Sequence, residues 1–166
     1  HRDAVEFLQI VGDAFARPLL DAVATGAPIP TNLRSIISGG AVLNAGLKAQ
    51  LKTTFEGVTI RDSIGSSETG VQGSNVSGKG QKVSTGDFEP APGSTVISAD
   101  MDQKLTPGSN EIGWFAMSGR VPLGYFGDAV KTSKTFPVIE QVRMSVPGDR
   151  ARLLADGRIE VLGRDS

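Results

Sequence analysis

Residues 58–70 read Val58-Thr59-Ile60-Arg61-Asp62-Ser63-Ile64-Gly65-Ser66-Ser67-Glu68-Thr69-Gly70, and this stretch decides how the rest of the chain is read. From Val58 to Ile64 the residues alternate in the manner of a strand, and that strand runs directly into a polar turn bracketed by Gly65 and Gly70. Three hydroxyls and one carboxylate at a strand end can bind phosphate oxygens and one hard cation together. Mg²⁺ takes one or two carboxylates plus substrate phosphates, a pattern that a lone Glu68 fits. The plainer alternative is a polar turn that caps the next segment.

Upstream, the pattern is α/β. Phe7 to Val11 is a short apolar run ending at Gly12, and Asp13 is placed to cap a helix that carries Phe15, Leu19, Leu20 and Val23, disturbed by Pro18. A loop over residues 25–30 leads to a strand of Leu33, Ile36 and Ile37 that stops at Gly39-Gly40. Asn44 then caps a helix whose Leu47, Leu51 and Phe55 recur every four residues, closed by Gly57. Gly39-Gly40-Ala41 thus lies between a strand and a helix. Small residues there let a flat ligand rest on bare backbone, or simply make a tight turn.

Downstream, residues 73–93 hold five glycines with scattered Ser and Lys and no apolar periodicity, which predicts a mobile loop. Short strands follow over residues 95–98, 111–117, 142–146, 152–155 and 158–162, with one helix over 128–136 capped by Asp128. Asp156-Gly157 marks a hairpin. The expected organisation is therefore an α/β part over 1–72, a loop over 73–93 and a β-rich part over 94–166. Asp149, after Pro147-Gly148, can accept both hydroxyls of a ribose because an ionised carboxylate offers only acceptors; a turn aspartate is the alternative. Trp114 and Phe115 read as core or half-buried surface.

Composition narrows the chemistry. The 166 residues make about one ordinary domain, and 39% hydrophobic residues with 21 glycines can close a core. Seventeen Lys+Arg against 18 Asp+Glu leave a net charge of -1, which offers no basic face for nucleic acid. There is no cysteine, and the one histidine is His1, so disulfides, thiolate sites, His metal clusters and Ser-His-Asp triads are excluded. Carboxylates, hydroxyls, backbone amides and arginines remain. No apolar run approaches the ~20 residues of a membrane span, and the expected compartment is cytoplasmic.

Order and spacing then add what single motifs lack. Ser38-Gly39-Gly40-Ala41, Ile64 to Thr69, Gly124-Tyr125 with Asp128, Lys131, Thr132 and Phe136, Pro147-Gly148-Asp149, and Asp156 to Arg164 follow one another along the chain. In this order they resemble the adenylate-forming (AMP-binding) superfamily and, within it, the acyl-CoA synthetases, or fatty-acid-CoA ligases, of the actinobacterial type. The resemblance covers essentially the whole chain. It implies the end portion of a large N-terminal domain: part of an α/β subdomain followed by a small distorted β-barrel subdomain.

The resemblance also implies roles. Gly39, Gly40 and Ala41 would form a wall for adenine and the acyl carboxyl end. Ser67 would meet the α-phosphate and Glu68 would hold Mg²⁺, with Gly65 and Ser66 near the acyl pocket. Ile64 stands where an aromatic often stacks on adenine. Asp149 would bind the ribose hydroxyls, assisted by Arg164. The implied partners are ATP (AMP as product), coenzyme A, and a fatty or steroid side-chain acid, with peripheral membrane contact allowed for the full-length protein. The family's upstream Ser/Thr/Gly-rich phosphate loop and its C-terminal domain with the adenylation lysine are not in this sequence, so the expectation is a fragment that is inactive alone. An acyl-AMP ligase, a carrier-protein adenylation domain and a non-catalytic nucleotide-binding module are the competing readings.

Overall fold

The computed structural model describes residues 5–78, 80 and 83–165. Residues 1–64 with 75–86 form one compact unit, and residues 65–74 with 87–166 form another. The chain passes from the first to the second between Ile64 and Gly65.

In the first unit, β1 (Phe7–Ile10) leads through α1 (Gly12–Ala24) to β2 (Ser35–Gly39), and α2 (Ala45–Thr54) carries the chain on to β3 (Thr59–Ser66). The strands β1 and β2 pair in parallel, Ile10 opposite Ser38, and β2 pairs in parallel with β3, Gly39 opposite Ser63. This is the βαβ logic expected from the sequence, with each helix serving as a crossover. Ile10, Ala16, Leu33, Ile36, Leu43, Leu47, Leu51, Phe55, Val58 and Ile60 form its core. Each of the Val, Leu, Ile and Phe side chains among them gains about 1.5–3 kcal/mol on full burial.

Helix α2 starts as read from sequence: the Asn44 side chain accepts from the Leu47 amide at 2.9 Å. Helix α1 does not. It begins at Gly12, with Val11 before it and no side-chain cap, and Asp13 lies in its first turn with its carboxylate turned to Asn44. That phase puts Ala16 in the core with Leu19, Leu20 and Val23 against it, while Phe15 is exposed. Pro18 lies within α1, which runs on past it to Ala24.

The segment 73–93, expected as a loop, contains the end of β4 (Gly70–Ser77) and all of β5 (Asp87–Pro90). Lys79, Gln81 and Lys82 in that segment lie outside the described residues. Polar contacts, invisible to apolar periodicity, organise its stretch in the first unit. Lys48 Nζ donates to the Ser84 carbonyl at 2.7 Å, Lys52 Nζ to the Gly78 carbonyl at 2.6 Å, and the Ala45 amide to Thr85 Oγ1 at 2.7 Å.

In the second unit, β6 (Ser94–Ile97), β7 (Gly113–Ser118), α3 (Ala129–Thr135), β8 (Val138–Ile139), β9 (Val142–Ser145), β10 (Asp149–Leu153) and β11 (Ile159–Arg164) follow. Pairing is antiparallel from β4 and β5 through β11, β10 and β7 to β9 and β8. Strand β6 lies on the other edge of β7, and among the described residues no pairing joins the two ends of this ladder. Ile97, Ala116, Ile139, Met144 and Val146 pack together inside it. The β10–β11 hairpin turns at Asp156-Gly157, where Gly157 takes a φ of 85° and Asp156 Oδ1 accepts from the Arg158 amide at 3.1 Å. Asp128 caps α3 through the Lys131 amide at 2.8 Å.

Candidate functional site

In the first unit, the Gly39-Gly40-Ala41 turn follows β2. Gly40 has a φ of 82°, a conformation that L side chains rarely adopt, so glycine is required there by backbone geometry. Gly40 and Ala41 are exposed and Gly39 half-buried, which leaves this backbone accessible. Residues the sequence did not single out for the turn hold it in place. The Asp13 amide donates to the Val42 carbonyl at 2.9 Å, and the Asp13 carboxylate accepts from the Asn44 amide and side chain at 2.9 and 2.6 Å. Gly12, at a φ of 53°, packs so closely on residues 41 and 42 that a Cβ there would collide with the Val42 carbonyl oxygen.

Behind the turn lies a buried polar network. The Gly12 amide donates to Ser38 Oγ at 3.3 Å, and Ser38 in turn hydrogen-bonds Asp62. Asp62 and Lys48 form an ion pair at 2.9 Å, with side-chain exposures of 6% and 1%. Burial pushes the Asp62 carboxyl above its ordinary range, against the pull of Lys48 in the other direction. Ile64, half-buried, closes this unit's share of β3.

In the second unit, Gly65 and Gly70 face each other across the hairpin, and a Cβ on Gly65 would run into the Gly70 carbonyl oxygen. The turn between them engages its own hydroxyls. Thr69 Oγ1 accepts from the Ser66 amide at 3.0 Å and donates to the Gly70 carbonyl at 2.9 Å, while Ser66 Oγ lies 3.1 Å from it and accepts from the Glu68 amide at 3.2 Å. Ser67 is exposed and outside this set, so the hydroxyl assigned from sequence to the α-phosphate is the accessible one.

Glu68 Oε1 accepts a hydrogen bond from the Tyr125 phenol at 2.7 Å. That bond, helped by the positive charge of Arg164, holds the Glu68 carboxyl below its ordinary range, while burial and Glu68 together raise the Tyr125 phenol. Glu68 is therefore an ionised, acceptor-only group. Asp149 opens β10 directly opposite Arg164 in β11, and the two form a bidentate pair, Nε to Oδ1 at 3.0 Å and Nη2 to Oδ2 at 2.9 Å. The Asp149 side chain is 12% exposed and that of Arg164 51%. Asp149 keeps the Arg164 guanidinium firmly protonated, and Arg164 acts electrostatically on both Glu68 and Tyr125.

The second unit thus brings Ser67, Glu68, Asp149 and Arg164 into one neighbourhood, with Tyr125 added. Tyr125 was missed as a site residue, although the signal was present in the Gly124-Tyr125 motif. Trp114 donates from Nε1 to the Ala99 carbonyl at 2.9 Å under the Arg150 guanidinium, and Phe115 is buried, so this pair is half-buried surface and core. No group of three or more His, Cys, Asp or Glu that could hold a metal occurs among the described residues. One ionised carboxylate is nonetheless the donor set that suits a magnesium ion arriving on substrate phosphates.

This fold is found in solved adenylate-forming enzymes. ATP-bound MatB from Rhodopseudomonas palustris superposes with a TM-score of 0.76 at 24% identity, over 98% of this chain and 31% of that one. By sequence, the chain is similar to acyl-CoA ligases. It is 47% identical over 165 residues to the medium-chain acyl-CoA ligase Mig of Mycobacterium avium, covering 99% of this chain and 30% of the relative. It is 38% identical over 168 residues to the 3-oxocholest-4-en-26-oate–CoA ligase of Rhodococcus rhodochrous, covering 98% and 30%. The chain therefore spans about 30% of the length of the curated relatives it matches. No family model matches it. No helix among the described residues is long and apolar enough to cross a membrane.

Proposed function

We propose that this sequence is part of an ATP-dependent acyl-CoA ligase that activates a fatty acid, medium-chain in first place, and passes the acyl group to coenzyme A. The observation that carries the reading is the turn at residues 65–70, whose internal bonds leave the Ser67 hydroxyl and the ionised Glu68 carboxylate accessible. The relatives' activities, on medium-chain and 3-oxocholest-4-en-26-oate acids, support the choice of acid.

In the first step an oxygen of the carboxylic acid attacks the α-phosphorus of ATP, the bond to the β-phosphate oxygen breaks, and pyrophosphate leaves. Two anions meet, so the step needs positioning and charge neutralisation more than covalent help. Ser67 donates a hydrogen bond to an α-phosphate oxygen, and Asp149, steadied by Arg164, accepts from the ribose hydroxyls. Glu68 would hold a magnesium ion, which would supply positive charge to the phosphates. In the second step the coenzyme A thiol attacks the acyl carbon, AMP leaves, and the thiol proton passes to solvent or to the departing phosphate.

The test is carboxylate-dependent pyrophosphate release by a full-length enzyme carrying this sequence, with medium-chain, long-chain and steroid side-chain acids, with and without coenzyme A. Release with thioester formation, fastest for the medium-chain acid, is expected. No release with any acid overturns the reading, and a preference for the steroid acid overturns the substrate choice alone.

A further inference from the structure

We propose that Tyr125 is a positioning residue for Glu68, holding one carboxylate oxygen so that the other faces the metal ion of the nucleotide. The inference rests on the ATP-dependent reading above. Tyr125 and Glu68 are 57 residues apart in sequence, yet the phenol oxygen stands 2.7 Å from Oε1, so the contact is a product of the fold rather than of local chain geometry.

Glu68 needs such a partner. The turn fixes its backbone, through the bond from its amide to Ser66 Oγ, and Ser66 also acts on the carboxylate, but less strongly than the Tyr125 phenol does. A half-exposed glutamate without a partner samples several rotamers, and ordering it at the moment of metal binding costs entropy. A phenol O–H donating to Oε1 removes that freedom and leaves Oε2 as a pure acceptor, the kind of ligand a hard cation takes.

Tyr125 is itself held on several sides. Its amide donates to Thr132 Oγ1 at 2.8 Å, the Lys131 ammonium lies 4.2 Å from its ring centroid, and the Phe136 ring packs at 5.7 Å. Gly124 leaves no room for a Cβ against Thr132, which keeps the backbone close to α3. Helix α3 buries no residue of its own; it carries Lys131 and Thr132, two of the residues that grip Tyr125, and its Thr135 carbonyl accepts from the Val146 amide at 2.8 Å. Outer partners of this kind typically change metal affinity 10–100-fold when removed.

Tyr125→Phe deletes one oxygen and keeps the ring. In a full-length enzyme carrying this sequence, Mn²⁺ titration in the presence of ATP, followed by electron paramagnetic resonance, is expected to show a dissociation constant raised about 10–100-fold. The Mg²⁺ concentration for half-maximal ATP–pyrophosphate exchange rises in parallel, while the KM for the carboxylic acid and the melting temperature stay put. Glu68→Gln is run beside it. If Glu68→Gln binds Mn²⁺ and exchanges pyrophosphate like the parent, the assignment of Glu68 to the metal fails. If Glu68→Gln loses both and Tyr125→Phe leaves the Mn²⁺ constant within about twofold, only the positioning inference is overturned. Should Tyr125→Phe not fold, Thr132→Val, which releases the Tyr125 amide but keeps the phenol, carries the same test: a raised constant supports the inference and an unchanged one overturns it.

Discussion

Removing Lys48 tests the buried network behind the Gly39-Gly40-Ala41 turn. Its side chain is 1% exposed, with the ammonium 2.9 Å from Asp62 and 2.7 Å from the Ser84 carbonyl, so Lys48→Met leaves the Asp62 side chain, 6% exposed, with no counter-charge. Breaking one side of a buried pair costs about 3–5 kcal/mol. That is a large share of the roughly 5–15 kcal/mol that holds a domain together. The sign with pH follows from the direction of the Asp62 shift. Burial already raises this carboxyl above its ordinary value, and removing Lys48 raises it further. The folded state then holds the proton more tightly than the unfolded chain does. Stability of the variant therefore falls as pH rises from the ordinary carboxylate range, about 4, through the raised folded value, and recovers on acidification. Lys48→Met with Asp62→Asn removes both charges and keeps an acceptor for Ser38, and is expected to come within about 1.5 kcal/mol of the parent, since a neutral hydrogen bond is worth about 1 kcal/mol net. Urea unfolding followed by far-ultraviolet circular dichroism reads this out, because the two longer helices, α1 and α2, lie in the same unit as the pair. A loss below about 1 kcal/mol for Lys48→Met near neutral pH, or the same loss in acid, refutes the reasoning.

Three further outcomes are expected. Asp149→Ala removes the acceptor for the ribose hydroxyls and frees Arg164 from its bidentate pair; calorimetry should show ATP binding weaker by about 1–3 kcal/mol, and an equal affinity removes Asp149 from the site. Gly65→Ala places a Cβ against the Gly70 carbonyl and forces the hairpin apart, an overpacking cost of about 1–3 kcal/mol, seen as a lower melting temperature together with weaker nucleotide binding. Asn44→Ala deletes the α2 cap and one partner of Asp13, for a loss of about 0.5–2 kcal/mol in urea unfolding; no change would mean the cap contributes nothing.

Much of the architecture was legible because local chemistry announces it. The Asn44 and Asp128 caps, the strand from Val58, and the Asp156-Gly157 hairpin each depend on residues adjacent in sequence, and each is present. The start of α1 was misread because Asp13 is a good capping residue whose carboxylate found a distant partner, Asn44, instead of its own helix. The segment 73–93 was misread as a loop because its strands are secured by backbone pairing, and Gly78 and Ser84 between them by lysines from α2, neither of which leaves an apolar period.

The sequence by itself determined which residue types could carry chemistry and, through the order of its motifs, the kind of enzyme it resembles. Composition and spacing are properties of the chain and survive without coordinates. Only the tertiary structure decided which groups act together. Ser66 and Thr69 are engaged within their turn while Ser67 is accessible, Arg164 clasps Asp149, and Tyr125 reaches Glu68 across 57 residues. Hydrogen bonds and ion pairs depend on distances of about 3 Å, and between residues far apart in sequence those distances are set by the packing of strands and helices.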